Sequence, residues 1–111
     1  MKLIGMLDSP RVRRVAIPFQ LLKLRFDHHP ISVFHAYNEF RQINSVEEAP
    51  SLICDDGQVL MDSTLIIDYA VSIAGHGRSL MPSAAQERQR VLQQTGLALA
   101  TCEKSASIFY E

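Results

Sequence analysis

The sequence predicts an α/β domain with the element order β-α-β-α-β-β-α, followed by one long helix. Three observations predict it. A short apolar run at the start gives way, after Ser9-Pro10, to apolar residues recurring at helical spacing. Two further apolar runs flank an Asp56-Gly57 turn, and Asp62-Ser63 then opens another helix. The chain has 111 residues, 47% of them hydrophobic, enough for one core and too few for two full domains.

Each element follows from local chemistry. Lys2-Leu3-Ile4-Gly5-Met6 reads as a buried strand. Asp8-Ser9-Pro10 is a helix start, because Ser is a favoured N-cap and Pro lacks an N–H that the first turn does not use. Val12, Val15, Ala16, Phe19 and Leu22 or Lys23 share one face, so the helix packs inward and ends near Leu24. Pro18 predicts a kink or a shortened helix, since an interior proline costs on the order of 3 kcal/mol. Phe26 to Val33 reads as a second strand, and Pro30 within it suits a sheet edge. Phe34 to Ile43 follows as a short helix, and strand-helix-strand implies a parallel crossover.

Ser51 to Cys54 and Val59 to Met61 flank Asp55-Asp56-Gly57-Gln58. Asp-Gly between apolar runs predicts a hairpin with a type I′ turn. Asp62-Ser63 caps the next helix, with Ile66, Tyr69, Ala70 and Ile73 on its inner face and Gly75-His76-Gly77 at its end. Beyond a linker, Ala84 to Tyr110 forms a long helix carrying Val91, Leu92, Thr95, Ala98, Leu99, Cys102, Ala106 and Phe109. That stripe is too apolar to stay uncovered, and it predicts a homodimer or a helical partner.

Composition excludes several classes. Lys+Arg is 11 against Asp+Glu 12, without the basic surplus of a nucleic-acid binder. The dense basic run, Arg11, Arg13 and Arg14, falls inside the first helix. No apolar run reaches the ~18 residues of a membrane span, and the start is too short for a signal peptide. A cytoplasmic, reducing setting is expected. Cys54 and Cys102 form no CxxC or metal-ligand spacing and read as buried, unreactive thiols. His28 and His29 are strand neighbours on opposite faces, and His35 and His76 lack partners at ligand spacing, so no metal site is expected.

The element order is that of the thioredoxin-like fold, and local motifs narrow it. Ser9-Pro10-Arg11-Val12-Arg13-Arg14-Val15 resembles the Ser-Pro-aromatic-Val-Arg-Lys/Arg-Val opening of bacterial serine-type glutathione transferases. Ala49-Pro50-Ser51-Leu52 is similar to their Val/Ala-Pro-x-Leu segment, whose proline is cis. Asp62-Ser63 with Ile66-Ile67 and Tyr69 resembles their Glu/Asp-Ser-x-x-Ile-x-x-Tyr helix start. The resemblance covers residues 1 to about 80. It implies a glutathione-binding domain over residues 1–78, a linker at 79–83, and at 84–111 the first helix of an otherwise missing all-helical second domain.

The resemblance also implies roles. Ser9 would donate its hydroxyl to the glutathione sulfur, favouring the thiolate that attacks electrophiles. Ala49 would pair its backbone with the glutathione cysteine beside cis Pro50. Asp62 and Ser63 would hold the charged γ-glutamyl end. Where the family has an aromatic residue, Arg11 stands; Asn44-Ser45 replaces its Asn-Pro, and Glu47-Glu48 would repel an anionic peptide. The implied activity is conjugation of glutathione, as co-substrate, to electrophiles, weak or absent in this chain alone because the electrophile sits between two domains. The alternative is a non-catalytic glutathione-binding or protein-interaction fragment. A glutaredoxin-type reductase would need a cysteine where Ser9 stands.

Overall fold

In the computed structural model, which describes residues 1–31, 50–75 and 79–110, the first strand β1 (Lys2–Ile4) ends where Gly5 takes a φ of 143°. The helix expected over 34–43, together with His35, Asn44-Ser45, Glu47-Glu48, Ala49, His76 and Gly77, lies outside the described residues. Two compact units are present, Met1–Arg78 and Ser79–Glu111.

Helix α1 (Pro10–Leu21) starts at Ser9-Pro10 and buries Val12, Val15, Ala16 and Phe19. Its end settles the choice between Leu22 and Lys23: Leu22 is buried, and Lys23 is exposed. The helix stops short of Leu24. Pro18 cannot donate to the carbonyl one turn earlier, and the chain leaves the helix soon after, through paired bonds from Lys23 N to Gln20 O (3.1 Å) and Leu24 N to Phe19 O (2.9 Å). This is a Schellman closure, with Lys23 at φ 59° where glycine is the usual residue.

Strand β2 (Asp27–His29) is shorter than the run from Phe26 to Val33 suggested, ending just before Pro30. It runs parallel to β1 and lies at a sheet edge, as proline beside it requires. Strands β3 (Ser51–Ile53) and β4 (Val59–Met61) complete the order β2-β1-β3-β4 among the described residues, both added antiparallel.

The β3–β4 turn differs from the expected type I′, which needs positive φ at both central residues. Here Gly57 alone turns positive, at φ 88°. Gly57 N donates to Cys54 O (2.9 Å) and Cys54 N to Gln58 O (2.8 Å). The loop is therefore a three-residue turn closed by a glycine bulge. Asp56 Oδ1 accepts from Gln58 N (3.0 Å), so the carboxylate fixes the turn and its own φ stays negative.

Helix α2 (Ser63–Ala74) packs on α1, burying Ile66 and Ala70. Ile73, expected on the inner face, is 43% exposed, while Ile67, Val71 and Ala74 pack partly against the core. The contact stripe steps by four residues from Ala70 to Ala74, which turns it away from Ile73. Leu3 and Leu52, paired across β1 and β3, meet Val12, Val15, Phe19 and Ile66 in one fully buried cluster. Each such side chain contributes roughly 1.5–3 kcal/mol. Phe26 closes the cluster edge-on to Phe19, with ring centroids 5.4 Å apart.

Helix α3 (Ala85–Tyr110) belongs to the second unit. Val91, Thr95 and Ala106 are half-buried, and Leu92, Leu99 and Cys102 are exposed. The expectation of a buried Cys102 is thus corrected: within Ser79–Glu111, α3 has no second described element to cover that face. Cys54 is buried as expected. Among the described residues no helix is long and apolar enough to cross a membrane.

Candidate functional site

Sheet register assembles the site. Ile4 pairs with Ser51, and Ser51 with Met61, so these residues form one row across three strands. The chain continues past that row to Gly5 on β1 and to Asp62 on β4, and Pro50 precedes it on β3. The segments carrying Ser9, Pro50, Asp62 and Ser63 therefore meet at one end of the sheet. Ala49 lies outside the described residues. Pro50 is fully buried and enters β3 at a bend.

Ser9 occupies the N-cap of α1 with extended dihedrals (φ −77°, ψ 126°), yet its side chain makes no capping hydrogen bond. Its backbone is fixed instead. Ser9 N donates to Met6 O (3.1 Å), and Ser9 O accepts from Arg13 N (3.1 Å). Ser9, half-buried as a residue, thus holds its side chain at a helix N-terminus, where unpaired amides and the helix dipole favour negative charge.

Asp62 behaves differently. Its Oδ1 accepts from Thr64 N (2.9 Å) and Leu65 N (3.3 Å), capping α2. It does so at φ 75° and ψ 120°, a conformation that a non-glycine residue rarely adopts. Ser63, which follows, is 8% exposed. Its hydroxyl accepts from Arg14 Nη1 at 2.8 Å, and the same nitrogen donates to Thr64 Oγ1 at 2.9 Å.

Sequence reading gives Arg14 a place in a basic run and in the motif from Ser9 to Val15, but no role of its own. Only the packing of α1 against α2 makes the link, and no local pattern states which side of α1 that is. Arg14, reaching across from α1, thus meets Ser63 and Thr64 at the start of α2, whose first amides the Asp62 carboxylate caps.

Other titratable features lie elsewhere. Tyr69 lies beside Cys54, beyond the opposite end of β3. Partial removal from water pushes its phenol above the usual range, and Cys54, Asp56 and Asp55 add to the shift. An open depression of about 580 Å³, lined by Gln20, Leu24, Arg25 and Phe26 among others, involves none of the candidate site residues.

A parallel edge pair, an antiparallel hairpin and two helices packed on one face define a thioredoxin-like domain. The family model described as glutathione S-transferase, N-terminal domain, matches residues 3–78, and the chain belongs to that family. It is 28% identical over 98 residues to an uncharacterized GST-like protein, YibF, of Escherichia coli K12, covering 88% of this chain and 48% of that protein. The chain thus spans about half the length of this curated relative. Among solved structures, the glutathione S-transferase isozyme E7 of Drosophila melanogaster matches at TM-score 0.67 and 32% identity, over 83% of this chain and 42% of its own. An epsilon-class glutathione S-transferase of housefly, Musca domestica, matches at TM-score 0.67 and 30% identity, over 83% and 43%. A glutathione transferase homolog from Sulfitobacter, solved with bound glutathione, shares the fold at TM-score 0.67, with 21% identity over 89% of this chain and 48% of that one.

Proposed function

We propose that this chain binds glutathione at the end of the sheet where the α1 and α2 N-termini meet, with Ser9 donating a hydrogen bond to the ligand's sulfur. The observation that carries this reading is the Ser9 hydroxyl, placed at a helix start and left out of the cap. A free thiol has a pKa near 8.5 and is mostly protonated at neutral pH. A hydroxyl donor together with the positive end of α1 stabilises the thiolate, which is the nucleophile for attack on an electrophile. Ser63 and Asp62, backed by Arg14, take the charged γ-glutamyl end, and Ala49 beside Pro50 presents backbone to the ligand's cysteine.

Conjugation to electrophiles is the activity proposed for the whole protein, with these residues as its glutathione half. A helical partner or a second copy covering α3 belongs to the same reading. Leu97 (66%) and Ile108 (77%) are strongly exposed there, which favours such a contact.

The test is a glutathione titration of the thiol across pH, followed by its ultraviolet thiolate band. Bound to the chain, the thiol titrates below its free value; Ser9→Ala moves it back up, and Arg14→Met weakens binding. Absence of resonance shifts at Ser9 and Ser63 at millimolar glutathione would sink the proposal. Adding an aryl halide then separates a conjugating enzyme from a non-catalytic binding module.

A further inference from the structure

Between Gly5 and Ser9 run Met6, Leu7 and Asp8, all exposed. Side-chain packing therefore does little to place Ser9. What fixes this loop is a series of hydrogen bonds that begins on the edge strand. Gly5 N donates to His29 O at 3.0 Å. The Gly5 carbonyl accepts from His28 Nε2 at 2.6 Å, a contact across 23 residues of chain. Both polar groups of the Gly5 backbone are thereby held by β2. The next bond, Ser9 N to Met6 O, closes the turn that delivers Ser9.

From this geometry we infer that His28 is a positioning residue: its ring clamps the Gly5 carbonyl and so sets where the Ser9 hydroxyl stands. Its link to ligand binding rests on the reading of Ser9 given above; its hold on the loop does not. The clamp needs a proton on Nε2, which the Nε2–H tautomer and the imidazolium both supply. The ring is only half-buried, so donation, not bulk, is its distinctive contribution. Gly5 suits the clamp because a side chain there would strike Val12, which keeps the strand exit bare and close to α1. His28 follows Asp27, whose N–H donates to Met1 O (2.9 Å), so the strand carrying the ring is itself anchored on β1.

The test compares His28→Phe, which keeps an aromatic ring and removes the donor, with His28→Gln, whose side-chain amide reaches about as far as Nε2. Amide hydrogen exchange is followed at Gly5 and Ser9, whose N–H groups donate to His29 O and Met6 O, with Ile53 in β3 as internal control. Losing one net hydrogen bond speeds loop exchange about tenfold in the Phe variant and leaves Ile53 unchanged. The Gln variant returns the loop to within about twofold of the parent. Equal loop exchange in the parent and the Phe variant overturns the inference, as does equal acceleration in Phe and Gln. Glutathione titration of the same three proteins is read separately. A parent chain that binds no glutathione removes the ligand reading, while the exchange rates still decide whether His28 holds the loop.

Discussion

Replacing Gly5 by alanine tests the join between the sheet and the Ser9 loop. An added Cβ would stand 2.6 Å from Val12 Cγ2, against about 3.5–4.0 Å for a comfortable carbon contact. Val12 is fully buried and cannot swing aside. Forcing such an overlap costs about 1–3 kcal/mol. The φ of 143° adds a penalty of about 1–2 kcal/mol for any residue with a side chain. Together these remove about 3 kcal/mol from a domain whose whole stability is of order 5–15 kcal/mol. At about 4–8 °C per kcal/mol, Tm falls by roughly 12–24 °C. Urea denaturation of the parent, Gly5→Ala, Val12→Ala and the double variant measures this. Val12→Ala alone costs about 2 kcal/mol for its cavity, but it also makes room for the new Cβ. The double variant should then lose at least about 1 kcal/mol less than the sum of the singles. A Gly5→Ala chain within about 0.5 kcal/mol of the parent, or strictly additive losses, refutes the steric reasoning.

Other expectations are simpler to read. Lys23→Gly relieves a positive φ at the Schellman closure of α1 and should raise stability by about 1 kcal/mol by denaturant unfolding. Ser9→Ala should cost less than the usual cap loss of about 0.5–2 kcal/mol, because the hydroxyl does not cap; the same denaturation assay reads it. Tyr69 has a phenol raised above the ordinary 10.0 in the fold, so the folded state favours its protonated form. The associated stability is present below about pH 10 and is lost as pH rises toward the folded value, and Tyr69→Phe should flatten the alkaline fall in Tm.

Much of this architecture is legible residue by residue, because local rules and tertiary packing agree. Ser9-Pro10 starts α1 as capping chemistry requires, and Val12, Val15 and Phe19 bury as helical spacing requires. Pro30 kept β2 at an edge. Where sequence reading missed, a choice between near-equal local options was settled by something distant. Asp-Gly admits both a two-residue and a three-residue hairpin; the Asp56 carboxylate, by bonding Gln58 N, selected the second. Ile73 and Ala74 are equally plausible inner residues until α1 fixes which flank of α2 is covered. Arg14 and His28 had no legible role for the same reason, since each acts on a residue far along the chain.

The two helix starts at this end of the sheet use their caps in opposite ways. At α2, Asp62 gives its carboxylate to two amides and tolerates positive φ to do so. At α1, Ser9 has a favourable extended backbone and still leaves its side chain out of the cap. A hydroxyl could be spent on α1 stability at that position, and it is not. The donor therefore remains available to the proposed ligand, whose binding would cost the helix no bond. That arrangement also separates folding from recognition. Stability comes from Gly5, Val12 and the core beneath them, while on the proposed reading the thiol's environment depends on one hydroxyl whose removal the fold should scarcely notice. A glutathione thiol that titrates higher on Ser9→Ala, in a chain of unchanged Tm, is what this division of labour requires.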